Sequence, residues 1–324
     1  MIVRWGLEEL GPLLGELGVR QPLLISSPRW TELELPIAER FHGVKPHAEV
    51  DSVREAVDRA RSADGLVALG GGSAIDTAKA VGAANGLATV AVPTTYSGAE
   101  WTNFFGMRDP DRGVKEGGSG APPVAIVYEP KLTLDLPRGE SGGTALNALA
   151  HSAEALYVSG RNVEGDEHAL EGARLIGESL PRVLEDGHDL EARTTLLRGA
   201  MHGGAALGAV GLGLGHAMAQ ALGGRYGVSH GAANALCLPP ALRFNEPVVP
   251  AEIARFGQAL GAGDPAARCE ELARLAGFGR LRDLGVPEEG LDEVAEATAV
   301  RGGAKANPRP ATPAEIAELL RSIW

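Results

Sequence analysis

The chain has 324 residues, 44% of them hydrophobic, which is enough for two domains of ordinary size, each with its own core. A formal net charge of −12 excludes general binding to nucleic acid or to an anionic membrane surface, since both need a basic face to neutralise phosphate. Two cysteines, Cys237 and Cys269, make neither a disulfide framework nor a metal-like spacing, and no uncharged apolar run reaches the ~18 residues of a membrane span.

The first residues, MIVRWGLEELGPLLGELG, lack the basic start, apolar core and small-residue cleavage site of a secretion signal, so a cytoplasmic location is expected. Short apolar runs then alternate with helical patterns. PLLIS at 22–26 reads as a strand, followed by a helix near 30–41, a helix at 50–63, a strand at 65–69, a helix from Ser73, and strands at 88–92 and 123–128. That alternation predicts an α/β layer with mostly parallel strands. From about residue 132 the strand-like runs stop. Ala- and Leu-rich stretches at 143–158, 167–184, 190–223, 250–277 and 313–322 carry helical spacing, which predicts an all-α domain. The expected division is 1–136 for the α/β part and 137–324 for the helical part. Glycines at 117–120 read as a loop.

Two loops in the first part carry chemistry. DGLVALGGGSAIDTAKAVG, residues 64–82, places Gly70, Gly71 and Gly72 between a strand and a helix, with Ser73 as the expected helix N-cap. Free N–H groups at such a helix start favour an anion such as pyrophosphate. The stretch is neither the usual dinucleotide fingerprint nor a P-loop, so a tight turn is the alternative. VPTTYSGAEWT, residues 92–102, follows the next strand and sets Thr94 and Thr95 where parallel strands present ligand groups, suiting phosphate or ribose. A threonine-rich turn is the plainer reading.

These residues resemble the iron-containing (group III) alcohol dehydrogenase superfamily, and within it the maleylacetate reductases. GGGSAIDTAKA is similar to the superfamily's pyrophosphate-binding signature, with Asp76 and Lys79 in the expected places. VPTTYSGAEWT, LTLDLP at 132–137, ALNALAHSAEALY at 145–157 and NPRPAT at 307–312 look like the reductase versions. The resemblance, which runs from about residue 20 to the C-terminus, implies a dehydroquinate synthase-like fold of two domains. NADH or NADPH would bind the first domain, and the helical second domain would close the catalytic cleft. Ser27 stands where many relatives carry an acidic residue that excludes the 2′-phosphate of NADP; with Arg29 nearby, both cofactors are expected.

In the metal-dependent members, an Asp and three His ligands occupy the positions matching Asn147, His151, His216 and His230. Three imidazoles and a carboxylate suit Fe(II) or Zn(II) as a Lewis acid. Here the carboxylate is an asparagine, as in the reductases, so the resemblance implies a metal-free site. An unmatched histidine would otherwise be read as a hydrogen-bonded core residue.

Gln220 replaces a histidine of the relatives, while Asp76 and SHGAANALCLPPALRFN at 229–245 lean towards the alcohol dehydrogenases. The reaction implied is hydride transfer to the conjugated C=C of maleylacetate, giving 3-oxoadipate. His151, His216 and His230 would surround the developing enolate oxygen. Lys115 would lie near the nicotinamide, or be a solvated loop lysine; Tyr96 would border the same pocket or pack beneath it.

Arg225 and Arg243 are candidates for a substrate carboxylate. Glu154, one helical turn beyond His151, either orients a residue of the cleft or, as the plainer reading, lies on the helix surface. The partners expected are a small dicarboxylic oxo-acid and a second copy in a homodimer. The competing expectations are a metal-dependent alcohol or aldehyde dehydrogenase and a non-catalytic nucleotide-binding protein.

Overall fold

Among the described residues there are eight strands: β1 Ile2–Trp5, β2 Pro22–Ser26, β3 Glu39–Phe41, β4 Gly65–Gly70, β5 Thr89–Pro93, β6 Phe104–Asp109, β7 Val114–Ser119 and β8 Ala125–Tyr128; β2, β4, β5 and β8 form at short aliphatic runs. The computed structural model describes residues 1–110 and 114–324, and side chains for all of these but 114–116. By internal contacts the chain divides into two units, Met1–Thr95 with Ala99–Thr133, and Tyr96–Gly98 with Leu134–Trp324.

In the first unit six strands make one sheet in the order β1-β8-β5-β4-β2-β3, and every pairing is parallel. β2, β4, β5 and β8 are buried at every residue, as a sheet covered on both faces requires. Helix α1, Leu10–Glu16, packs on one face through Leu10, Leu13 and Leu14 against Leu24, Val67 and Val92. α2, Val50–Arg59, and α3, Gly72–Asn85, complete the unit with the antiparallel hairpin β6–β7.

Three local expectations change. Residues 30–41 are not a helix: Pro28 opens a single 3-10 turn, Pro28–Trp30, and the chain re-enters the sheet as β3. Arg40 fastens the segment between, donating to the carbonyls of Leu33 (2.9 Å), Leu35 (3.3 Å) and Ile37 (3.1 Å). The run at 117–120 belongs largely to β7, where Gly118 leaves room for the Phe105 ring: a Cβ there would stand 2.5 Å from it. Ser73 is not the cap of α3, because Gly71 takes that place. Its Oγ accepts instead from the His47 N–H at 2.9 Å, tying the glycine loop to the approach of α2.

The second unit is helical throughout: α4 Arg138–Ala155, α5 Val163–Glu185, α6 Leu190–Val210, α7 Leu214–Tyr226, α8 His230–Asn245, α9 Pro250–Leu260, α10 Pro265–Leu275, α11 Leu291–Ala299, α12 Gly302–Ala306 and α13 Pro313–Ser322. Every residue of α4 from Ala145 to Ala155 is buried, so the helix has no solvent face over that length. The pattern at 190–223 is two helices, not one. Gly211 adopts φ +99°, which few other residues tolerate, and the axes of α6 and α7 turn by 98°. Among the described residues no single helix is long and apolar enough to cross a membrane.

NPRPAT at 307–312 serves as a fastening. Asn307 and Asn245 exchange reciprocal amide hydrogen bonds of 2.9 and 2.7 Å, and the Arg309 guanidinium lies 3.9 Å over the Phe244 ring. Both contacts hold the C-terminal helices to α8.

Candidate functional site

The C-terminal edge of a parallel sheet gathers loops and helix N-termini, so it is where an anionic ligand is met. Gly70 ends β4 with φ +148°, and α3 begins two residues later. A Cβ on Gly71 would stand 2.8 Å from Cγ2 and 3.1 Å from Oγ1 of Thr95. That is backbone-wide space beside a hydroxyl, and Oγ1 of Thr95 is buried without a partner. The first N–H groups of a fourteen-residue helix, Gly72 and Ser73 among them, lie at the same place, and N–H groups at a helix start suit an anion. Thr94 is buried, its N–H donating to the Gly70 carbonyl at 3.0 Å. Ser27 follows β2 in extended conformation at the same edge.

Asp76 and Lys79 face the protein. Lys79 is 1% exposed, sits 2.9 Å from Asp76, and donates to Ala99 O (3.0 Å), Thr102 Oγ1 (3.0 Å) and Phe104 O (2.6 Å). Asp76 accepts from the Gly106 N–H at 3.1 Å. The signature pair therefore anchors the hairpin to α3. Lys115 pairs with Arg108 across β6–β7, but its side chain lies outside the described residues.

In the second unit α4, α7 and α8 bring the three histidines together. The rings of His151 and His216 stack with centroids 4.7 Å apart, and His230, the first residue of α8, lies 5.7 Å from His216. Glu154, for which the helix surface is the plainer reading from sequence, is fully buried and takes the other expected role, holding a histidine of the cluster. Its carboxylate accepts from the Gly213 N–H (2.6 Å), the His216 N–H (3.1 Å) and His216 Nδ1 (2.7 Å). Helical spacing could not reveal this, because α4 is buried all round and any of its faces can carry a functional group. Nδ1 of His216 thus holds a proton directed at Glu154. Its Nε2 is buried without a partner.

The orientation of Asn147 follows from its neighbours. The His230 carbonyl takes Nδ2 of Asn234 (3.1 Å), which also donates to Oδ1 of Asn147 at 2.7 Å. Nδ2 of Asn147 consequently points to the Ser97 carbonyl (3.0 Å) and towards Nε2 of His151 (3.4 Å). An amide nitrogen only donates, so Nε2 of His151 is the acceptor and Nδ1 carries the proton. Burial, followed by the neighbouring His216 and His230, holds the His151 pKa well below 6.5, so the ring is neutral. Among the described residues no group of three or more His, Cys, Asp or Glu is arranged to hold a metal ion.

Tyr96 is buried, its hydroxyl accepting from Arg193 at 3.2 Å. Gln220 lies on α7 one turn past His216, part-exposed. The two arginines proposed for a carboxylate are engaged elsewhere: Arg225 pairs with Glu293, and Arg243 with Glu270 at 2.5 Å. Asn234, Ser97 and Arg193 escaped sequence reading; the first two act through small polar groups with no motif, and Arg193 lies in an ordinary helical pattern.

A sheet whose C-terminal edge carries a glycine-lined helix start, joined to a helical unit with a buried histidine cluster, defines a two-part oxidoreductase of the nicotinamide-nucleotide type. The chain belongs to the iron-containing alcohol dehydrogenase family: residues 4–130 match "Iron-containing alcohol dehydrogenase" and 142–324 match "Fe-containing alcohol dehydrogenase family, C-terminal". That family is NAD(P)-dependent, and some of its members bind iron.

The chain is 39% identical to the maleylacetate reductase of Sphingobium indicum over 280 residues, 85% of this chain and 78% of that protein. Among solved structures it is similar to a putative alcohol dehydrogenase from Ralstonia eutropha JMP134 (TM-score 0.94, 35% identity, 100% and 95% of the two chains). It is also similar to maleylacetate reductase from Agrobacterium tumefaciens (TM-score 0.91, 33% identity, 100% and 95%).

Proposed function

We propose that this enzyme reduces the conjugated C=C of maleylacetate to give 3-oxoadipate, using NADH or NADPH and no metal ion. The observation that carries the metal-free part is the engagement of Asn147: its oxygen accepts from Asn234, and its nitrogen faces Ser97 and His151. A divalent ion needs lone pairs converging on one point, and here an N–H donor stands in front of a histidine lone pair. The relatives named maleylacetate reductase support the substrate.

When bound, reduced nicotinamide would supply the hydride, and the first N–H groups of α3 with Thr95 Oγ1 would hold its pyrophosphate. Negative charge then develops as an enolate on the substrate's carbonyl oxygen, where N–H donors lower the barrier. His216, its Nδ1 held by Glu154 at 2.7 Å, is the group assigned to proton delivery, through Nε2. His151 stays neutral beside it, and His230 completes the cluster. Ser27 in place of an acidic residue leaves the 2′-phosphate of NADPH unopposed.

A metal-dependent alcohol dehydrogenase is the second reading, favoured by the unpartnered, buried Nε2 of His216. The deciding experiment follows NADH and NADPH oxidation with maleylacetate, using enzyme stripped by a strong chelator. Full activity after stripping is expected. Activity that returns only with Fe(II) or Zn(II) would move the assignment to the second reading, and silence in both conditions would remove the substrate.

A further inference from the structure

Arg193 on α6 is 1% exposed, and among the described residues its guanidinium meets only neutral acceptors. Nε donates to Gly187 O (2.7 Å), Nη1 to Ser141 Oγ (2.9 Å) and Tyr96 Oη (3.2 Å), and Nη2 to Leu136 O (3.2 Å) and Leu134 O (3.4 Å). Its five N–H groups thus have five acceptors on four separate stretches of chain. A cation buried without an anion costs free energy, and aliphatic packing would fill the volume without that cost.

What the arginine holds is informative. Tyr96–Gly98 is a three-residue piece of the N-terminal half of the chain that belongs to the helical unit. It runs along a single face of α4. The Tyr96 N–H donates to Thr144 Oγ1 (3.3 Å), and the Ser97 carbonyl accepts from Asn147 (3.0 Å). Gly98, at φ +75°, passes so close that a Cβ would stand 3.4 Å from Nδ1 of His151 and 3.0 Å from Cα of Gly204. Residues 144, 147 and 151 are successive turns of α4, so three consecutive residues of the strap address three turns of the helix. Arg193 grips the strap at its first residue.

We propose that Arg193 is a positioning residue for the histidine cluster: through Tyr96 it sets the Ser97 carbonyl, which together with Asn234 orients the Asn147 amide and so fixes the tautomer of His151. If the strap slips, Nδ2 of Asn147 loses its Ser97 acceptor, and Asn234 at Oδ1 is then the one named contact opposing a turn of the amide that brings its oxygen to His151. That reversal would demand a proton on Nε2 instead of Nδ1. Lysine cannot substitute, because three donors on one atom cannot reach four stretches of chain at once.

The inference rests on the proposed reductase activity only for its kinetic arm. Arg193→Lys and Tyr96→Phe are compared with the wild-type chain in two measurements. The first is the long-range ¹H–¹⁵N spectrum of the histidine imidazoles, with the His151 signals assigned by His151→Gln. Wild type is expected to show the Nδ1–H form at His151; both variants are expected to shift those signals towards the Nε2–H form, leaving those of His168, His188 and His202 in place. The second is turnover of maleylacetate, where kcat falls about 10- to 100-fold in Arg193→Lys while KM for NADH stays within about twofold.

A variant with a lowered melting temperature but unchanged His151 signals and unchanged kcat would overturn the proposal and leave Arg193 a packing residue. Should Arg193→Lys fail to fold, Tyr96→Phe decides alone: unaltered His151 signals overturn it. A wild-type chain inactive on maleylacetate would refute the substrate, and the imidazole spectra would still decide the role of Arg193.

Discussion

The glycine loop and the histidine cluster are built by opposite means. Gly70 to Ser73 is one continuous stretch that meets Thr94 and Thr95 of the next loop, and its chemistry is space together with the backbone N–H groups of a helix start. The cluster draws on α4, α7, α8 and a strap from the other half of the chain. Its partners lie 50 residues apart for Asn147 and Ser97, 62 for His216 and Glu154, and 87 for Asn234 and Asn147. A site made of space is damaged by adding atoms. A site made of directed hydrogen bonds is damaged by exchanging a donor for an acceptor, even at constant shape.

The sharpest test of that contrast is Glu154→Gln. The shape is kept, but one of the two oxygens that together accept from Gly213, His216 N and His216 Nδ1 becomes a donor. Turnover of maleylacetate should fall about 100-fold, with a lowered melting temperature, in steady-state assays and thermal unfolding. Activity within a few-fold of wild type would show that the His216 tautomer is unimportant.

Asn147→Asp comes next. A carboxylate oxygen would then face the Ser97 carbonyl, leaving a buried acceptor unpaired at a cost of about 1–3 kcal/mol, readable by urea unfolding. Calorimetric titration of the same variant with Zn(II) sharpens the comparison. Binding by the variant alone would place the divide between metal-free and metal-dependent sites at this one side chain. Equal binding by wild type would sink the donor-geometry argument.

In the loop, Gly71→Ala puts a methyl 2.8 Å from Thr95 Cγ2. Affinity for NADH should fall about tenfold with little change in kcat at saturation, measured by nucleotide fluorescence. A proportional loss of kcat would mean that the loop shapes the chemical step as well as binding.

The smallest effect concerns pH. His151 is held neutral in the folded chain, its pKa below 6.5, while the unfolded chain titrates near that value. Its contribution to stability is therefore whole above about pH 6.5. It shrinks as the pH falls from there towards the folded value, because the unfolded state takes up a proton that the folded state refuses. Denaturant unfolding between about pH 7 and pH 5 should show a shallower decline in His151→Gln than in wild type. Identical slopes would assign the acid sensitivity to other groups.

Alternation of short apolar runs with helical patterns, and the change near residue 132, made the class of each half legible in the sequence. Hydrophobic period is a local property and survives in a single chain. The helix expected near 30–41 failed because its apolar spacing coexists with Pro28 and Pro36, and the carbonyls that Arg40 collects belong to an irregular path. β1 and the hairpin β6–β7 escaped notice for a related reason. Their residues are partly exposed or glycine-rich, and pairing with a neighbour decides their conformation.

The chain by itself determined the glycine loop, the spacing of Asn147 and His151 on one helix, and the presence of two more histidines in the following helices. Tertiary structure alone decided that Glu154 is buried against His216, that Asn147 presents its nitrogen and not its oxygen to His151, and that Arg193 holds the strap. Period identifies which residues share a helix face, but α4 is covered on all faces, so every face can be functional. Protons, in turn, are placed by hydrogen-bond partners that only folding brings into reach.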